Sequence, residues 1–163
     1  MSDGEKRLDT VRLQEMVQGF WRSGALMAAV ELGLFTVVSK GAGTFSEVAT
    51  ALDITETNAE RLMTACVTLK LLELGDEGRV INAPDVERFL VEGSPRYAGP
   101  WMLFTKPSWN DWGILSEKLK SKSVDRLGKY GEFTVERARE YHKATYSIGM
   151  GAGRRFARHV DLS

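Results

Sequence analysis

Residues 44–82, TFSEVATALDITETNAERLMTACVTLKLLELGDEGRVIN, decide the fold of this chain. Thr44-Phe-Ser-Glu47 is a capping box: a hydroxyl caps the helix start and a carboxylate three residues on returns the bond. The helix it opens carries Phe45, Val48, Ala49 and Leu52 at the spacing of one buried face. Asp53-Ile54 breaks it, and Thr55 caps a second helix with Ala59, Leu62, Met63, Cys66 and Leu69 inside. Leu72-Glu-Leu74 and Arg79-Val-Ile-Asn82 then flank Gly75-Asp-Glu-Gly78, a hairpin signal. Two helices and a hairpin in this order read as a winged helix-turn-helix. Such motifs commonly bind DNA, but residues 44–83 hold seven acids against three bases, a net −4. Phosphate binding needs clustered Lys and Arg. The winged helix therefore reads as a scaffold, with no nucleic acid expected as a partner.

Outward from this stretch, the chain of 163 residues is one domain's worth. Its 43% apolar and 27% charged content is that of an ordinary globular protein, and 22 bases balance 22 acids, which favours neither a polyanion nor an anionic membrane. Cys66, alone and on an apolar helix face, reads as a small buried thiol, so nothing asks for an oxidising compartment. The charged N-terminus lacks the apolar stretch of a signal peptide. The longest apolar run, Ala25 to Val38, is interrupted by Glu31 and Gly33 and falls short of the ~20 residues of a membrane span. A soluble, cytoplasmic chain is expected.

Residues 1–9 read as a disordered polar tail and 10–163 as a single domain. Residues 10–32 form a long helix in which Leu13, Met16, Val17, Phe20, Gly24, Met27 and Ala28 recur at three- and four-residue steps. Trp21, Ala25, Leu26, Ala29 and Val30 widen its apolar surface beyond one stripe, so it must be buried on more than one side. The second burying surface belongs either to another subunit, with Leu13, Met16, Phe20, Trp21 and Met27 at the interface, or to the core of the same domain. Gly33-Leu-Phe35 ends this helix. Downstream, the pattern predicts a short helix at Pro84–Leu90, a short aromatic helix at Tyr97–Lys106, and a helix capped by Ser108 and running to about Lys120. A polar loop over 120–133 and a helix from Thr134 to about Met150 follow, and Arg154–Leu162 is amphipathic and basic. Seven or eight helices and one hairpin make a mainly α fold with a small β wing; no alternation of strands and helices supports a doubly wound sheet.

Candidate chemistry is sparse. Gly149-Met-Gly-Ala-Gly153 follows a helical pattern and misses the G-x-G-x-x-G spacing of a dinucleotide loop, so close helix approach or a helix stop is the favoured reading. His142 and His159 with Cys66 have no ligand spacing, so no metal is expected. His142 is either a structural histidine or a hydrogen-bonding group of a pocket. Tyr97, Trp101, Met102, Phe104, Trp109 and Trp112 suit core or subunit interface; Met102 and Trp109 are also candidates for a flat aromatic pocket. No catalytic set emerges.

At this point a resemblance adds to the reading. Phe20-Trp-Arg-Ser-Gly-Ala-Leu-Met-Ala-Ala-Val-Glu-Leu-Gly-Leu-Phe35 resembles the "AAxELGLF" helix end of the dimeric S-adenosylmethionine-dependent O-methyltransferases, which include the plant caffeic-acid type and bacterial polyketide and bacteriochlorophyll enzymes. The stretch FSEVATALDITETNAERLMTACVTLKLLEL is similar to their winged-helix segment. Gly131-Glu-Phe133 and Tyr141-His-Lys-Ala144 are similar to their "G..F…FN.AM" approach to the catalytic domain. The resemblance implies an N-terminal dimerisation domain whose outer helices interlock two copies. The strand and glycine-rich loop that bind S-adenosylmethionine would follow "VDLS", so no cofactor is expected within these residues and methyl transfer is not expected from them alone. It also implies a small hydrophobic or aromatic acceptor, lined by the helix after Thr134 through Tyr141, His142 and Thr145. The last two depart from the family's Asn and Met. Two rival readings remain: a winged-helix transcription regulator sensing a hydrophobic ligand, and a stand-alone interaction module.

Overall fold

The computed structural model describes residues 8–121 and 134–161. The expected tail (but for its last residues), the loop over 120–133 with Gly131–Phe133, and the final Leu162 fall wholly or mostly outside them. The described chain is mainly helical, with one two-stranded antiparallel sheet.

Helix α1 (Val11–Leu32) starts where Asp9 accepts the Val11 N–H, and ends at Gly33, whose φ of 75° only glycine adopts freely. The first helix ends there as expected, but the chain does not continue as a loop. Gly33 turns it, and Leu34–Ser39 form a second helix, α2, with Leu34, Phe35 and Val38 buried. A left-handed glycine reverses direction within one residue, so an apolar run that reads as a helix end becomes a core helix.

The winged helix is as the sequence spells it. Both halves of the capping box form at Thr44, opening α3 (Phe45–Leu52), and the Thr55 hydroxyl accepts the Asn58 N–H at 3.3 Å to open α4 (Glu56–Thr68). Strands β1 (Leu72–Leu74) and β2 (Val80–Asn82) pair Leu72 with Asn82 and Leu74 with Val80. In β2, Val80 and Asn82 turn inward while Ile81 faces out, the period of two of a half-buried ribbon; in β1 only Leu72 is buried, and Leu74 is exposed. One core joins α1's C-terminal half, α2, α3, α4 and the wing, centred on Phe35, Val48, Met63 and Leu72. Cys66 is fully buried in it, and burial pushes its thiol up to about 12.

Beyond the wing come α5 (Pro84–Phe89), with proline in its first turn, and α6 (Gly99–Leu103), shorter than the aromatic helix expected. Ser108 does not cap a helix: its backbone is already helical, at φ −90°, as the end of a 3-10 turn over Lys106–Ser108, whereas a cap needs extended geometry. The expected helix to Lys120 is two, α7 (Trp109–Gly113) and α8 (Leu115–Lys120), broken at Ile114 after a glycine that disfavours helix. Thr134 caps α9 as expected, but α9 continues through its glycines from Val135 to His159.

Candidate functional site: an uncovered apolar face

Helix α1 changes character along its length. Its C-terminal half supplies Met27, Ala29 and Val30 to the interior, but its N-terminal half leaves Leu13, Met16, Val17, Phe20 and Trp21 exposed. Met16 stays 68% and Trp21 62% accessible. Trp112 on α7 and Leu119 on α8 are 72% and 76% accessible. Large apolar side chains left in water mark an interaction surface where they adjoin, and the Phe20–Trp109 contact brings α7 against the exposed half of α1. Of the five interface candidates, four lie on this surface, whereas Met27 is inside the protomer at 9%.

The aromatic side chains divide into two groups. On one side, Trp109 stands edge-on to Phe20, centroids 6.5 Å apart, and packs over Gly24, where a Cβ would meet its ring at 3.6 Å. Phe20 also touches Trp21 at 5.4 Å. Trp109, a pocket candidate from sequence, thus sits with the interface candidates. On the other side, Trp101 and Phe104 stack nearly parallel at 5.5 Å, and Tyr141 meets Phe104 edge-on at 5.8 Å, joining α9 to the end of α6. His142 lies against Tyr141 at 6.1 Å and is exposed. The Thr145 hydroxyl donates to the Tyr141 carbonyl at 2.8 Å, within its own helix. Met102 packs against the core from α6. Tyr141, His142 and Thr145 are therefore neighbours, while Met102 and Trp109 serve other contacts.

Two cavities stand out among the described residues. A groove of about 600 Å³ runs between α1 and α4, with Trp21, Arg22 and Ala25 on one wall and Glu60, Arg61 and Thr64 on the other. A smaller one of about 260 Å³ lies under the wing, between Phe45, Met63, Val67 and Leu74. Neither was legible in the sequence, because periodicity shows which face of a helix is apolar but not which helix lies beside it.

The perturbed ionisable groups are structural. Arg79 on the wing gives both arms of its guanidinium to Glu47, at 3.1 and 2.7 Å, and donates to the Gly41 carbonyl at 2.8 Å. Arg79 together with the Gly43 and Thr44 N–H groups holds the Glu47 carboxyl down at about 2. Lys106 pairs with Glu31 and ties the turn after α6 to α1. Partial burial raises the Tyr97 phenol, with Glu92 adding to it. Among the described residues no group of three His, Cys, Asp or Glu could hold a metal, and no helix is long and apolar enough to cross a membrane. The glycines of 149–153 lie inside α9 instead of in a loop between a strand and a helix, so they do not form a nucleotide cradle for S-adenosylmethionine. The arrangement can bind apolar surface.

Comparison with known proteins agrees with this geometry. The chain is 38% identical over 101 residues to a 3-hydroxy-5-methyl-1-naphthoate 3-O-methyltransferase of Streptomyces sahachiroi, covering 60% of this chain and 29% of the relative. It is 34% identical over 161 residues to the N,N-dimethyltransferase OxyT of Streptomyces rimosus, covering 93% of this chain and 46% of the relative. An O-methyltransferase family protein from Burkholderia thailandensis superposes with a TM-score of 0.72 at 26% identity, over 90% of this chain and 44% of that one. The chain thus spans less than half the length of each. Residues 14–92 match the O-methyltransferase dimerisation domain, and through that segment the chain belongs to this family.

Proposed function

We propose that this chain is the dimerisation and acceptor-lining part of an S-adenosylmethionine-dependent methyltransferase acting on a small aromatic molecule, with methyl transfer carried out by a catalytic domain outside these residues. The observation that carries the reading is the exposure of Leu13, Met16, Val17, Phe20 and Trp21 along the N-terminal half of α1, with Trp112 on α7 and Leu119 on α8 also in water, which a second copy of the chain would cover. Obligate homodimers bury such faces. Tyr141, with His142 and Thr145 beside it, would supply one wall of the acceptor site, excluding water and orienting the acceptor. The relatives include both an O- and an N,N-methyltransferase, so the proposal names an aromatic acceptor without choosing the methylated atom. The acidic winged helix and the single buried thiol fit a cytoplasmic protein with no nucleic-acid partner.

Sedimentation velocity and calorimetry on the purified chain test this. A dimer that gives no heat with S-adenosylmethionine is the expected result. A monomer at tens of micromolar would remove the dimer, and micromolar binding of the methyl donor would overturn the division of labour.

A further inference from the structure

Three glycines, Gly149, Gly151 and Gly153, lie in the interior of α9, a single helix of 25 residues. Interior glycine is among the poorest helix formers, because its backbone loses the most freedom on ordering. Packing often explains such residues, when a neighbour comes too close for a side chain. Among the described residues it does not: a Cβ added at any of the three meets nothing within 4 Å. The two ends of the helix also differ. The N-terminal part is anchored, with Ala144 buried and Tyr141 against Phe104, whereas every residue from Ile148 to Asp161 is exposed.

Geometry separates the two remaining explanations. At about 100° per residue, Gly149 and Gly153 fall about 40° apart on one face, and Gly151 points about 160–200° away from both. Close approach of a second body would ask for small residues on one face and would leave Gly151 without a reason. A point of bending asks for glycine all round the helix.

We propose that residues 149–153 are a hinge that divides α9 into an anchored rod, 135–148, and a basic rod, 154–159, able to change direction relative to the winged-helix body. The second rod carries Arg154, Arg155 and Arg158 on one side and Phe156 on the other, so its reorientation moves a charged, amphipathic surface as a unit. The inference rests on this chain's own residues and stands apart from the methyltransferase reading.

Hydrogen exchange on the 163-residue chain tests it. Protection is expected through 135–148, a local minimum at 149–153, and renewed protection at 155–159. Alanine at each glycine in turn should raise protection across the minimum by several-fold, and Gly149→Ala/Gly151→Ala/Gly153→Ala together by roughly ten- to hundred-fold. Uniform protection from 135 to 159 would overturn the hinge, as would complete exchange from 149 onward, which is a frayed end. Lower protection or altered association in Gly149→Ala and Gly153→Ala but not in Gly151→Ala would replace the hinge by a close contact. A spin-label distance distribution from Ser46→Cys to Arg155→Cys gives an independent reading. It should be broad, and should narrow when the three alanines are added; a narrow distribution in both backgrounds would refute the proposal.

Discussion

Glu47 returns the capping-box bond to the Thr44 N–H, takes a second from Gly43, and receives the Arg79 guanidinium from the wing. One carboxylate thus ties a helix start, the loop before it and the hairpin together. Folding lowers its pKa from the ordinary 4.5 to about 2, so its contribution is complete above pH 4.5 and is lost as the pH falls through about 2. In Glu47→Gln, the acid-side decline of the thermal midpoint between those values should be shallower than in the natural chain, and the midpoint at neutral pH lower. Both partners are about two-fifths exposed, so added salt should shrink the difference. At Gly99 the constraint is steric instead. A Cβ there would fall inside the Tyr97 phenol, so Gly99→Ala should cost about 1–3 kcal/mol in urea denaturation as the ring is displaced. The cost should largely vanish in a Tyr97→Ala background. Tyr97 was legible as aromatic, but nothing in the sequence placed its ring over the start of α6.

At the scale of elements, α4 shows how local chemistry and packing divide the labour. Its start is written in the sequence at Thr55, and its inward face at Ala59, Met63 and Cys66. Thr55→Ala should therefore destabilise the chain by about 1 kcal/mol, measurable as a lower denaturation midpoint with an unchanged slope. The same local rules misjudged elements whose ends depend on backbone geometry. Gly33 reads as a stop, and α1 does end there, but the turn into α2 with Phe35 buried was not read from the sequence. Ser108 has the right side chain for a cap but the wrong backbone. In α9 the capping signal at Thr134 held, while the glycines that read as a stop lie within the helix.

For the whole molecule, the governing fact is that the core around Phe35 and Met63 is complete while the face on α1, α7 and α8 is not covered. Met16→Glu and Val17→Glu should leave the protomer folded by circular dichroism, since both positions are open to water. They should weaken the proposed dimer by roughly a hundred-fold or more, read by sedimentation equilibrium, because a charge would then be buried against an apolar partner. Met27→Glu is the contrasting variant. Its side chain is inside the protomer, so it should unfold the chain instead of merely separating two copies. Unchanged association in Met16→Glu and Val17→Glu would place the interface elsewhere.

By itself the sequence determined what depends on spacing and caps: two helices opened by Thr44 and Thr55, a two-stranded wing after them, a long first helix, and the acidic balance of the winged segment. These are readable because hydrogen-bonded caps and periodic burial act within a few residues. Only the tertiary structure decided which apolar residues the chain covers for itself. Met27 and Met16 sit on the same helix with the same chemistry, and their fates differ because α1 meets the core along half its length. It also decided that Trp109 stacks on α1 beside Phe20 while Tyr141 pairs with Phe104, since contacts between distant residues follow from how helices pack, which one-dimensional periodicity does not encode.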